Sequence, residues 1–269
     1  MRSKTYVAKV KDEVEKWENM GPGYLSQVSD FIFYPAQKAA ELLIPEFVMN
    51  TVEASVKGCL EALIFGASYT ISKDEVLQKI KTENSELNDI QIVRDSDDLE
   101  SMDRVAAHYW NWNLGYAITQ GIATGATGLP GLAANIPALF TIIFRMLQQI
   151  SISYGYDPEK LEEKHFLVSI LSVASSSDIK AKQAAMLYLK QVQVQLAKKT
   201  WKKLAEEKAL MVAIRQFAKT IGIQITKRKA LQMVPIIGGV IGGSFDGTYC
   251  NDVGRAAVMA YRKTKIEQH

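Results

Sequence analysis

The groups that could drive nucleophilic or acid–base chemistry in this chain of 269 residues are few: the imidazoles His108, His165 and His269, and the thiols Cys59 and Cys250. Nucleophilic catalysis needs a nucleophile, a base within hydrogen-bond reach and a group that orients the base. His269 ends the sequence, and His108 stands among aromatics in His108-Tyr-Trp-Asn-Trp112, where a packed ring is the commoner role. No Gly-x-Ser-x-Gly elbow and no carboxylate pair at a convincing spacing is present. A hydrolase of unknown substrate is therefore kept only as the alternative. The acidic run Asp95, Asp97, Asp98, Glu100 and Asp103 has the density of a calcium loop. An EF-hand, however, needs Gly at its sixth position and Glu at its twelfth, where this chain has Glu100 and Ala106. Acids gathered at the positive end of the helix that follows fit better. With no CxxC pair and no HExxH, neither a metal nor a cofactor is expected.

What the sequence offers instead is an uneven distribution of charge. The chain is 23% charged and 48% hydrophobic, with a mean hydropathy of −0.04, enough apolar material for a sizeable core. From Val105 to Tyr156 there is nevertheless a single ionised side chain, Arg145. Between Lys180 and Lys229, thirteen Lys and Arg face two acids, a surplus of eleven in a chain whose net charge is only +3. A basic element set against an acidic remainder is a natural surface for an anionic partner. The opening residues, Met1 to Val14, intersperse charges with Tyr6, Val10 and Val14, so no signal peptide is expected. Two distant cysteines suit reduced thiols in a cytosolic protein.

The elements that must position these groups read almost entirely as helix, predicting an all-α multi-helix bundle with Gly-rich helical hairpins and no significant β-sheet. One domain is expected over 1–269, with an N-terminal helical part over 1–100. Residues 101–269 would carry the glycine-rich hairpin, the basic helix and a C-terminal hairpin. Val52, Val56, Leu60, Leu63 and Ile64 fall on one helical face. Ser72 and Glu75 form a capping box before Val76, Leu77 and Ile80. The β-like run Ile90–Val93 is too short to make a sheet. A helix is expected from Leu99 to Gly125 or Gly128, and a second from about Asn135, its cap, to Tyr154, with Pro137 in its first turn. Arms of roughly 23 residues would reach about 35 Å, enough for a ~30 Å hydrocarbon layer. Tyr109, Trp110, Trp112 and Tyr116 would then lie level with Tyr154 and Tyr156, as an interfacial aromatic belt does. Asn111, Asn113, Gln120, Gln148, Gln149 and Arg145 oppose such insertion, being costly against lipid. A third helix is expected from Asp157 and Pro158. After Ser175–Asp178 one long basic helix is predicted to run to about Gly222, with Lys198, Lys199, Lys202 and Lys203 bracketing Trp201.

Glycines at small-xxx-small spacing let helices approach closely. Gly121, Gly125 and Gly128 in the first hairpin, and Gly238 and Gly242 in Val234-Pro-Ile-Ile-Gly-Gly-Val-Ile-Gly-Gly243, are expected to pack the two hairpins together, with Asn135 and Arg145 lining the packing or a ligand pocket. The same glycine run does not make a phosphate loop, since no Gly-Lys-Ser/Thr follows and no strand precedes it. Arg145 is expected to be internal and paired with a carboxylate or helix-end carbonyls.

The block Gly125-Ala-Thr-Gly-Leu-Pro-Gly-Leu-Ala-Ala-Asn-Ile-Pro-Ala-Leu-Phe-Thr141, the trailing Ile150-Ser-Ile-Ser-Tyr-Gly-Tyr-Asp157, the Val234–Gly243 run and the closing Ala256–Arg262 stretch resemble the EcsC family, over roughly residues 100 to 265. Relatives often carry Asp where this chain has Asn135. The resemblance implies a membrane-associated or cytosolic protein, with no reaction to transfer. Together these features predict a non-catalytic, membrane-associated or lipid-binding helical protein, peripheral to the inner face of the membrane and acting with an integral membrane or transporter partner. Trp110, Trp112, Lys198, Lys199, Trp201, Lys202 and Lys203 are the expected contacts with an anionic membrane surface or lipid. Nucleic acid ranks last, since beyond Tyr188 and Trp201 the basic window lacks interleaved aromatics and any known module.

Overall fold

A computed structural model describes residues 2–21, 46–65, 71–125, 128–198, 207–232 and 238–268. Among the described residues there are ten helices and no strand: α1 (Arg2–Asn19), α2 (Glu46–Phe65), α3 (Lys73–Glu83), α4 (Ile90–Asp95), α5 (Leu99–Gly125), α6 (Gly128–Ser153), α7 (Leu161–Ala174), α8 (Ile179–Lys198), α9 (Glu207–Gln232) and α10 (Gly238–Gln268). The fold is all-α. Its centre is α7, where His165–Leu171, Val173 and Ala174 are all buried, the pattern of a helix covered on every side. Helices α8, α9 and α10 pack around it, α5 lies against α6 and α10, and α2 bridges α6 and α9.

Local signals place several elements as the sequence predicts. Val52, Val56, Leu60 and Ile64 of α2 face the core, while Lys57 and Glu61 pair at 3.5 Å on another face. Ser72 Oγ accepts from the Glu75 amide and opens α3. The Ile90–Val93 run is helical, started by Asp89 accepting from the Gln91 amide at 2.8 Å. Asp98 accepts from the Ser101 amide at the start of α5, which accounts for part of the acidic run.

Two expected boundaries are corrected. Helix α6 begins at Gly128, so Asn135 is not its cap and Pro137 lies inside it. The single basic helix is instead two, α8 and α9. Gln224 Nε2 donates to the Ser175 carbonyl at 2.5 Å, although 49 residues of continuous helix would hold these positions about 70 Å apart. The chain therefore doubles back within the basic window.

Close helix approach does organise the bundle, through Gly121 of the expected glycines and through Gly247 and Gly254. A Cβ on Gly121 would lie 2.9 Å from Asp246 Cβ, one on Gly247 2.6 Å from Ile118 Cγ1, and one on Gly254 2.4 Å from the Trp110 ring. The positions descend along α5 as they ascend along α10, so the two helices run antiparallel with almost no space between them. Of the expected packing glycines only Gly121 is seen in this seam. Gly125 closes α5, Gly128 and Gly238 open α6 and α10, and Gly242 lies near the start of α10, but what surrounds these four lies outside the described residues.

The tightest crossing is at Gly155, between α6 and α7. Its φ of +82° is one that L side chains rarely adopt, and a Cβ there would come within 2.3 Å of the Arg94 backbone nitrogen. Either obstacle alone disfavours a side chain. Gly155→Ala is expected to cost about 2 kcal/mol or more, and Gly254→Ala about 1–3 kcal/mol through overpacking. Gly115→Ala meets nothing within 4 Å and is expected to stabilise its helix by up to about 1 kcal/mol. Denaturant melts of the three variants check this ordering, and equal midpoints would overturn it.

Candidate functional site

Three buried polar assemblies and two open surfaces bear on function. The first assembly is centred on Asp103, on the inner face of α5. Tyr6 donates to its Oδ2 at 2.6 Å, Tyr154 donates to its Oδ1, and Arg262 Nε donates to the same oxygen at 3.0 Å. Arg262 also reaches Glu13 at 2.7 Å. Burial and the carboxylate push the Tyr6 and Tyr154 hydroxyls well above their usual pKa, so both remain donors.

The second assembly is centred on Glu163 of α7, which is 2% exposed and accepts from Ser151 Oγ at 2.8 Å and from the Tyr261 hydroxyl. Tyr261 stacks on Tyr154 with ring centroids 5.4 Å apart, packs against Tyr156 at the same separation and takes the edge of Phe166 at 5.0 Å. Desolvation raises the Glu163 carboxyl from 4.5 to about 7, against the opposing pull of its two hydroxyl donors. Both carboxylates are sealed inside the protein and tied to donors from distant helices, an arrangement that orders helices.

The third assembly lies between α5, α6 and α10. Asn113 Nδ2 donates to the Tyr109 carbonyl at 2.8 Å and to Gln149 Oε1 at 2.7 Å, Gln120 donates to Asn135, and Asn135 Nδ2 faces Asp246 Oδ1 at 3.5 Å. Of the amides that argued against insertion, Asn113, Gln120 and Gln149 thus find partners within the protein, while Asn111 is exposed. Asn135–Ser153 is long and apolar enough to cross a bilayer, but 72% of it is buried inside the protein. Tyr109, Tyr154 and Tyr156 are core residues, so the expected aromatic belt is not formed by them. Trp110 is likewise corrected, since its ring lies against Gly254 and its indole N–H is buried without a hydrogen-bond partner among the described residues. Arg145 is half-buried. Its Nε has no partner among the described residues, so the expected ion pair is not found there.

One open surface is the outer face of α5. Trp112 is 55% exposed, Tyr116 51% and Ile122 65%, while the partly exposed Ile118 marks the edge of this face, where α5 meets Gly247 of α10. His108 stacks on Trp112, and Tyr116 meets Trp112 edge-on at 5.7 Å. From His108 to Ile122 this face runs about 21 Å without an ionised side chain. Trp112 is the expected contact residue that stands here.

The other is a groove of about 550 Å³ between α8 and α9, floored by Ser172 and Ser175 and walled by alanines with Tyr188, Val212 and Phe217. Lys180, Lys208, Arg215 and Lys219 are exposed on the two helices that form it. Lys182 is buried and has a different task, donating to the carbonyls of Trp17, Met20 and Gly21 at the end of α1. The side chain of Lys198, and Lys199, Trp201, Lys202 and Lys203 altogether, lie outside the described residues.

The groups considered for catalysis are dispersed. His108 is on the open face of α5, while His165 Nδ1 lies 3.3 Å from the Tyr188 hydroxyl. Burial pushes the Cys59 thiol up to about 11 and the Cys250 thiol up to about 12, so neither supplies a thiolate near neutrality. Among the described residues no metal-ligating cluster forms.

Glu163 gives this core a specific pH signature. Because its folded pKa lies above its unfolded value, the unfolded chain loses a proton between about pH 4.5 and 7 that the folded protein keeps, and stability falls across that window as pH rises. Glu163→Gln retains an acceptor for Tyr261 and is expected to remove that fall, about 3 kcal/mol for a shift of this size. Unfolding free energies measured from pH 4 to 8 check this, and parallel curves for variant and parent would reject it.

Comparison with known proteins finds relatives along nearly the whole chain. The chain is 26% identical over 259 residues to Uncharacterized protein YdbA of Bacillus subtilis (strain 168), covering 94% of this chain and 90% of that protein. It is 30% identical over 135 residues to Protein EcsC of the same organism, half of each chain. No solved structure matches. With the model of the EcsC protein family matching residues 8–265, nearly the whole of the described core, the chain belongs to that family.

Proposed function

We propose that this protein is a peripheral membrane-binding protein whose α5 outer face enters the bilayer interface while the basic window of α8 and α9 supplies attraction to anionic lipid. The observation that carries the reading is the charge-free exposed face bearing Trp112, Tyr116, Ile118 and Ile122. Isolated exposed apolar residues are ordinary, but here two aromatics and two isoleucines are exposed within three turns of one helix and form a strip. Tyr and Trp suit an interface, where the ring body leaves water and the polar edge stays wet. Because the strip's opposite face is locked into α6 and α10, α5 contacts lipid without leaving the fold, so the protein lies on the membrane rather than spanning it.

Lysines near an anionic surface add about 1 kcal/mol each, screened over the ~8–10 Å Debye length. The surplus of eleven charges between Lys180 and Lys229 therefore makes binding sensitive to salt and lipid charge. The apolar strip contributes the part that salt does not remove. A partner in the membrane, such as a transporter, would meet the same two surfaces.

Co-sedimentation with phosphatidylcholine vesicles, with and without phosphatidylglycerol, separates these contributions. The parent is expected to pellet with anionic vesicles. Trp112→Glu/Ile122→Glu is expected to weaken pelleting about tenfold or more at unchanged helix content. Charge reversal at Lys198, Lys199, Lys202 and Lys203 is expected to abolish its salt sensitivity. Undiminished pelleting of the α5 double variant would reject α5 as the contact.

A further inference from the structure

A second groove, of about 440 Å³, lies where α1 crosses the start of α5 and the end of α10. Its charged walls are Lys4, Lys11 and Lys265, with Asp97 as the one acid, a local surplus of two positive charges. Lys265 differs from the others in being only 2% exposed. Its Nζ donates to the Val93 carbonyl at 3.1 Å and the Arg94 carbonyl at 2.6 Å, capping the end of α4, and this leaves one of its three ammonium hydrogens unengaged. Among the described residues no carboxylate bonds to it. Asp95 and Asp97 lie near enough to favour its charged form, but its hydrogen bonds go to carbonyls. The remaining walls, which include Val7, Leu99 and Ile266, are apolar.

We propose that this groove binds a phosphomonoester with an apolar body, the phosphate among Lys4, Lys11 and Lys265 and the body against Val7, Leu99 and Ile266. A phosphomonoester carries −1.5 to −2 near neutrality, which matches the local surplus of two. Three cations from separate turns of two helices line the one groove. The volume is that of a small-ligand pocket and far exceeds what inorganic phosphate needs. The ligand is either a lipid headgroup with the first part of its chain or a soluble organic phosphate, since both present the same chemistry. The groups around Lys265 are Arg94, Asp95 and Asp97 with Lys4 and Lys11. Burial holds the Lys265 ammonium down to about 8, and a bound dianion opposes that, so binding takes up a proton above this pH and weakens as pH rises further.

The test uses the full chain with hexyl phosphate and inorganic phosphate as probes, followed by calorimetry and phosphorus NMR. Lys265→Met also removes the α4 cap, so the exposed pair Lys4→Glu/Lys11→Glu carries the experiment, with thermal melts confirming an intact fold. Hexyl phosphate is expected to bind at least about tenfold more tightly than inorganic phosphate. The double variant is expected to lose about tenfold or more of that affinity. No binding of hexyl phosphate, equal affinity for the two probes, or unchanged binding in the double variant would each overturn the proposal. Where those results support it, vesicles of phosphatidylcholine with phosphatidate identify the source: pelleting that depends on Lys4 and Lys11 assigns a lipid headgroup, and pelleting that does not assigns a soluble ester. The Trp112→Glu/Ile122→Glu variant is expected to bind hexyl phosphate normally, so failure of the membrane reading leaves this result standing.

Discussion

A carboxylate taken out of water must be met by donors, and at Asp103 that requirement ties four separate segments of the chain to one another. Its partners come from α1, the turn after α6, and α10, at sequence separations of 97, 51 and 159 residues. Two of these partners extend the network further. Tyr154 delivers the stack on Tyr261, Tyr261 in turn satisfies Glu163, and Arg262 draws Glu13 and with it α1 onto α10. Such a network is costly when half satisfied and rigid when complete. The rest of the bundle is arranged around making it complete, down to a Gly155 turn so tight that Tyr154 and Tyr156 leave it toward the same aromatic cluster.

The charge-poor stretch beginning at Val105 resolves into two different faces of α5. Inward, Tyr109, Asn113, Ala117 and Gly121 recur at four-residue spacing and are buried. Outward, His108, Trp112, Tyr116 and Ile122 are open. The absence of charge therefore has two causes. On the inner side an ion would have to be buried, and the network there uses amides, which are satisfied by one another at lower desolvation cost. On the outer side water is available, so nothing in the fold forbids charge, and its absence calls for a reason outside the folded chain.

Much of this was legible from periodicity and local chemistry. The helical class, the faces of α2, the Ser72 cap and the role of Asp98 are all set within a few residues along the chain, where sequence spacing is a faithful guide. The fate of Asp103 was not, because it stands in the same acidic run as Asp98 and only distant partners distinguish them. Asn135 had the composition of a cap, but Gly128 and Pro130 can start a helix equally well, and its amide was needed deeper, between Gln120 and Asp246. Helices α8 and α9 looked like one because the sequence between them has neither Gly nor Pro. Only their packing on α7 requires the reversal.

The same reversal changes what the basic window is. As one straight helix it would have been a charged rod with a single apolar seam. As two helices that separate along an alanine-lined groove, it is an apolar trough on helices whose other positions carry exposed cations. Alanines are too short to close the gap that α7 imposes between the two helices, and longer apolar side chains on either wall would fill it. Small side chains there keep apolar surface open beside positive charge. That pairing matches an amphiphile's chain and head, and it recurs on a smaller scale where Lys4, Lys11 and Lys265 meet Val7, Leu99 and Ile266. The polar groups buried in this bundle hold the helices in place, while the open surfaces are a charge-free face on α5 and two apolar-walled grooves on helices that carry cations.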